Sequence, residues 1–206
     1  MVQLKVSPTS FAVTFDYRCP FARNAHEHVL TALESGAPYD VEFLPFSLNQ
    51  AHVEDGGTPV WDDPARSLDL LAGEVGVVVR DKFPDAFLKV HRRLFALRHD
   101  DGRDLRDKDA LAEALRGEGV DPGEVFAEVD DGWPLEVFRK QHEAGVADYQ
   151  VFGVPTFIAG GNAAFVRIMT RPDGDGALAD ATLRRVLDLV VSQADLNEVK
   201  HSSIPR

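Results

Sequence analysis

The alternation of apolar and polar residues divides the chain into three unequal parts. Near the start, Phe11–Phe15 (FAVTF) is a short, apolar, aromatic-rich run of the kind that forms a buried strand. From Pro20 the period changes: Ala22, Ala25, Val29 and Leu33 fall on one stripe, with Leu30 beside it, which predicts a helix. Pro20 suits the first helical position, and Ser35-Gly36 ahead of Pro38 supplies the stop. Asp40–Phe46 (DVEFLPF) predicts a second strand. The opening is therefore βαβ, with a connection long enough for the strands to run parallel.

Residues 62–149 show helical spacing and no convincing strand, apart from the ambiguous Val77–Val79. Pro84–His99 predicts an amphipathic helix with Phe87, Leu88, His91, Leu94 and Phe95 on one face. Asp107–Arg116 and Pro122–Val129 predict two shorter helices, split by Gly117, Gly119 and Pro122. Pro134–Tyr149 predicts another, with Leu135, Phe138, His142 and Val146 in line. Strand character returns in Pro155–Ala159 and Ala163–Met169, which flank a Gly160-Gly161-Asn162 turn and predict an antiparallel hairpin. A last helix opens near Asp180 and stripes Leu183, Val186, Leu187, Val190 and Val191. After Gln193 the tail is polar, ends in SSIPR and is expected to fray. The sum is an α/β chain: a βαβ…ββα core over residues 1–60 and 150–206, with an all-helical insertion over 61–149.

Composition narrows the function classes. The net charge of −12 on 206 residues argues against sequence-independent nucleic-acid binding and against attachment to an anionic membrane. No window approaches a spanning run of about 18 apolar residues, and the first residues, MVQLKVSPTSF, hold no long apolar leader. One cysteine forms no internal disulfide, so a cytoplasmic location is the default expectation. A homodimer is compatible with the sequence.

That one cysteine carries the candidate chemistry. In DYRCPFARNAHEHVL, Cys19 falls between a strand and a helix and precedes Pro20. Unpaired N–H groups and the dipole at a helix start favour negative charge, and Arg18 adds a cation next door. Thiols so placed titrate at roughly 3.5–7.5 instead of about 8.5, and the thiolate is the nucleophile. The competing reading is a buried cysteine packing as a small hydrophobe. The second candidate is Gly153-Val154-Pro155-Thr156. Pro155 is either a trans proline on an edge strand or a cis proline that leaves the Val154 backbone free to pair with a ligand.

The seven histidines show no metal spacing, and with a single cysteine a zinc site is not expected. His91 reads as a hydrogen-bonded packing residue, residues 99–109 (HDDGRDLRDKD) as a solvated connection, and Gly160-Gly161 as a turn with no helix behind it to make a phosphate loop.

Taken together, the Cys-Pro helix head and the GVPTF strand head, at this separation and on either side of a helical block, resemble the thioredoxin superfamily over nearly the whole chain. The long insertion resembles the DsbA-like branch, which includes FrnE-type oxidoreductases, mycothiol-dependent reductases, kappa-class glutathione transferases and 2-hydroxychromene-2-carboxylate isomerases. The stretch AAFVRIMTRPDGDGALADATLRRVLDLV is most similar to the mycothiol-linked members, which often come from GC-rich bacteria; 16 Arg against 6 Lys fits such a source. The resemblance implies that Cys19 is the nucleophile, that Pro155 is a cis-proline, and that the Val154 backbone holds a thiol-bearing substrate. Arg18, Pro20, Phe21 and Thr156 would complete the substrate site. The departure is Ala22, where dithiol members carry a resolving cysteine. Without it the expected activity is a monothiol oxidoreductase that needs no metal or bound prosthetic group. It would use mycothiol or glutathione as cosubstrate against a disulfide or an electrophile. A kappa-type transferase or isomerase is the first alternative, and a binding protein on a degenerate thioredoxin fold is the second.

Overall fold

Phe11, Val13 and Phe15 are buried on one side of the first strand while Thr14 is buried on the other, so this strand belongs inside a sheet and not at its edge. The computed structural model describes residues 8–201 and Ile204 and places it so. Strand β1 (Ser10–Phe15) pairs in parallel with β2 (Asp40–Pro45), from Ser10 against Asp40 to Phe15 against Pro45. On its other edge it pairs antiparallel with β3 (Thr156–Ala159), Val13 lying against Phe157. Strand β4 (Asn162–Phe165) closes the order β2-β1-β3-β4. Residues 1–7, in which no leader is expected, and most of the SSIPR tail lie outside the described residues; residues 193–201 form no helix or strand.

Helix α1 (Pro20–Glu34) follows β1 and packs against α8 (Gly176–Ser192), the helix that closes the chain. Between β2 and β3 come the short α2 (Leu48–Ala51), two 3-10 turns at Val60–Asp62 and Pro64–Asp69, and five helices. These are α3 (Leu71–Lys82), α4 (Pro84–His99), α5 (Lys108–Gly117), α6 (Pro122–Asp131) and α7 (Trp133–Tyr149). Most buried side chains of this helical block join those of the sheet and α1 in one core, while Val60, Leu70, Val77 and Phe138 form a smaller cluster of their own. Helix α4 meets α1, while α3 and α7 meet β2.

Three expectations change. The Val77–Val79 run is helical, in the middle of α3, because burial on several sides overrides the strand preference of β-branched residues; all three valines are inaccessible to solvent. The last helix opens at Gly176, since Asp175 caps it by accepting the Leu178 N–H at 3.0 Å. The hairpin's second strand stops at Phe165 instead of Met169. Beyond it the Ile168 carbonyl accepts from Asn24 Nδ2 at 3.0 Å, and the Thr170 carbonyl pairs with His28 at 3.2 Å. Side chains of α1 thus satisfy backbone groups that a strand would have paired, and the chain leaves the sheet to lie along α1.

Candidate active site

Cys19 is the N-cap of α1, with an extended backbone and Pro20 in the first turn. Its sulfur accepts the Ala22 N–H at 3.4 Å and donates its own proton to the Val154 carbonyl at 3.4 Å. The two motifs, 135 positions apart in sequence, therefore meet at the sulfur. The Val154–Pro155 peptide is cis. No backbone acceptor among the described residues takes the Val154 N–H. Ala22 is fully buried one turn beyond Cys19, so a resolving thiol has no stand-in there.

The sulfur is not the thiolate that the sequence leads one to expect. Burial pushes the Cys19 thiol up from its ordinary value, and its residue is only 7% exposed. The N–H groups of Ala22 and Phe21 pull the other way, as a helix start should, and the nearby Asp16 carboxylate adds to the rise. The expected help from Arg18 is absent because its guanidinium turns away. Arg18 donates to the Asp69 carbonyl at 2.7 Å and lies 3.3 Å from the Asp69 carboxylate, which also takes Asn49 at 3.0 Å. Arg18 therefore ties the Cys19 loop to the end of a 3-10 turn. Asp16 fixes the same loop by accepting the Arg18 and Leu48 N–H groups, both at 2.9 Å. Burial nonetheless raises its own pKa.

Thr156 is also redirected from the substrate contact expected of it. It is buried, its N–H donates to Thr14 Oγ1 at 2.8 Å, and its hydroxyl donates to the Gly153 carbonyl at 2.8 Å. It braces the Val154–Pro155 loop against β1. Pro20 and Phe21 do border the open side, Pro20 exposed and Phe21 half-buried under the Arg167 guanidinium, whose carbon lies 5.1 Å from the ring centroid. Sequence reasoning passed over Phe152, 71% exposed just ahead of Gly153 and 5.3 Å from the Phe165 ring. A large apolar side chain so exposed beside the proline loop is a ready contact for a substrate, and its place two residues before Val154 was the available signal.

Beneath the loop runs a buried polar chain. His26 Nε2 lies 3.1 Å from the Thr14 carbonyl, His91 Nε2 lies 2.9 Å from His26 Nδ1, and Tyr17 Oη lies 2.7 Å from His91 Nδ1. A carbonyl only accepts, so His26 carries its proton on Nε2 and accepts on Nδ1. By the same logic His91 donates from Nε2, and Tyr17 donates to His91 Nδ1. Burial keeps both imidazoles neutral: His26 is lowered to about 4, and His91 falls well below the usual range. His91 is thus the hydrogen-bonded packing residue expected, with His26 as the unforeseen partner. His99, at the other end of α4, donates to the Tyr17 carbonyl at 3.0 Å. Helix α4 therefore grips the segment just before Cys19 at two points. A cavity of about 20 Å³ between Asp16, Arg18, Ser47 and Asp69 has room for about one water and none for a substrate. No group of three metal-ligating side chains occurs among the described residues, nor a helix long and apolar enough to cross a membrane.

A sheet of this order, a Cys-Pro helix head and a cis-proline loop against the sulfur define a thioredoxin-like protein. The DSBA-like thioredoxin domain matches residues 12–172, and the chain belongs to that family. Among solved structures it is similar to DsbA of Pseudomonas aeruginosa, at 22% identity over 90% of this chain and 88% of that one, with a TM-score of 0.53. It is likewise similar to MdbA, a thiol-disulfide oxidoreductase from Actinomyces oris (18% identity, 87% and 82% covered, TM-score 0.60). A probable DsbA oxidoreductase from Streptomyces coelicolor aligns at 14% identity over 95% and 93% of the two chains, with a TM-score of 0.59. No curated protein matches the sequence. The fold is that of the DsbA-type thiol oxidoreductases.

Proposed function

We propose that this chain is a monothiol oxidoreductase in which Cys19 works with a low-molecular-weight thiol, glutathione or mycothiol, in the cytoplasm. The observation that carries the reading is the Cys19 sulfur held at the Val154 carbonyl while position 22 is alanine. In the first step the Cys19 sulfur attacks a small disulfide RSSR. A Cys19–S–SR bond forms, the RS–SR bond breaks, and the Cys19 proton leaves with the departing RSH. In the second step another thiol R′SH attacks the mixed disulfide, releases RSSR′ and returns the proton to Cys19. The unpaired Val154 N–H suits it to receive a backbone-like carbonyl of the thiol compound, and Phe152 and Phe21 offer apolar contact.

The test is intact mass after incubation with oxidised glutathione and with oxidised mycothiol. One adduct on Cys19, removed by free thiol, is expected; a chain that takes up neither overturns the reading. One observation favours a second reading, a kappa-type transferase or isomerase. A neutral Cys19 that donates a hydrogen bond could donate to the thiolate of a bound cofactor just as well. Cys19→Ser separates the two: it abolishes disulfide exchange under the first reading and retains conjugation or isomerisation under the second.

A further inference from the structure

We propose that the helical block holds a second ligand site, separate from Cys19, that takes a small apolar molecule carrying a protonated amine. A cavity of about 300 Å³ opens between the 3-10 turns, α3, α6, the start of α5 and the start of α7. That is the lower end of the size range of small-molecule sites. Trp61, Leu68, Leu71, Val129 and Leu135 supply apolar wall, and Glu74 projects from the first turn of α3 into the lining.

Glu74 is the feature that asks for a ligand. It is only 8% exposed, and no hydrogen bond stabilises its charged form. Burial raises it to about 7, Asp130 adding to the rise and Lys108 opposing it. The cations at hand already have partners: Lys108 Nζ is 3.8 Å from Asp130, and an Arg139 nitrogen is 3.3 Å from Asp62. Asp63, also in the lining, accepts the Ala65 N–H at 3.0 Å and has no cation among the described residues. Glu74 and Asp63 are thus the two lining carboxyls without an ion-pair partner among the described residues. The Glu74 carboxyl lines the cavity with no protein donor, and an ammonium group supplies both the donors and the opposite charge. A neutral alcohol supplies only a weak donor, and a carboxylate adds repulsion. The site shares Leu70 with the small cavity beside Arg18, and Cys19 lines neither, so it stands or falls apart from the chemistry at the sulfur.

Isothermal titration of the whole chain with hexylammonium, 1-hexanol and hexanoate tests this. Hexylammonium is expected to bind about tenfold or more tightly than hexanol, with hexanoate weakest. Its binding at pH 7 should release about half a proton, read from heats in two buffers, because Glu74 ionises as the amine docks. Glu74→Gln, which keeps the shape, should remove the preference for the amine and the proton release. Leu135→Trp should fill the cavity and abolish binding, and Cys19→Ser should leave binding unchanged. Equal affinity for hexanol, an unaltered Glu74→Gln, or no heat from the amine at millimolar concentration would each overturn the assignment.

Discussion

Tyr17→Phe tests whether the buried chain from Tyr17 through His91 and His26 to Thr14 holds the Cys19 loop in place. The change removes one oxygen and leaves the ring packed against Phe15 and Phe95, at centroid distances of 5.1 and 4.9 Å. It also removes the only donor described for His91 Nδ1, which is then a buried acceptor with nothing to accept. Leaving such a group unsatisfied costs about 1–3 kcal/mol. For a chain of this length each kcal/mol moves Tm by about 2–4 °C, so a fall of about 2–12 °C is expected in thermal unfolding followed by circular dichroism. The cause can be isolated by repeating the change in His91→Leu, where no Nδ1 remains to be satisfied. There the loss of the hydroxyl should cost less, giving a coupling of about 1 kcal/mol or more between the two residues. If Tyr17→Phe leaves Tm where it was, or costs the same in both backgrounds, the chain does not stabilise the loop and the reasoning is wrong.

The remaining predictions concern this chain and the other buried titratable groups. Gly76→Ala puts a methyl 2.6 Å from Tyr17 Oη, so it should destabilise by about 1–3 kcal/mol where a helical Gly→Ala change usually helps; a raised Tm would refute the close approach. His26 and His142 are held by burial at about 4 against 6.5 for a free imidazole, so the unfolded chain takes up protons first as pH falls. Stability is then lost between about pH 6.5 and 4, up to about 3 kcal/mol for each group. Glu74, raised to about 7, acts with the opposite sign between about pH 7 and 4.5, because there the folded state holds the extra proton. Urea midpoints should therefore fall more steeply with acid in Glu74→Gln than in the parent, and parallel curves would refute the assignment. Burial holds the Cys19 thiol up, so its alkylation by iodoacetamide should rise only above the free-thiol range. Asp16→Asn should move that profile to lower pH, and a plateau already reached at neutral pH would contradict the buried-thiol account.

The sequence by itself determined the order of most elements, α2, the 3-10 turns and α3 apart, because the periods of two and of about 3.6 survive in a linear reading. It also singled out Cys19, Val154 and Pro155, since a thiol between strand and helix and a proline heading a strand are local patterns. What it left undecided is what depends on distant partners. The Val77–Val79 run is a helix only because α4, α6 and α7 bury α3. Arg18 looked like a cation for the sulfur until a carboxylate 51 positions away took it. Thr156 looked like a substrate contact until Thr14, 142 positions away, accepted its N–H. Whether Cys19 rests as thiol or thiolate turns on a balance between helix N–H groups, which are local and legible, and desolvation, which only the folded core imposes. Local chemistry placed the thiol, and the tertiary structure decided its protonation state, its neighbours and the grip that α4 keeps on its loop.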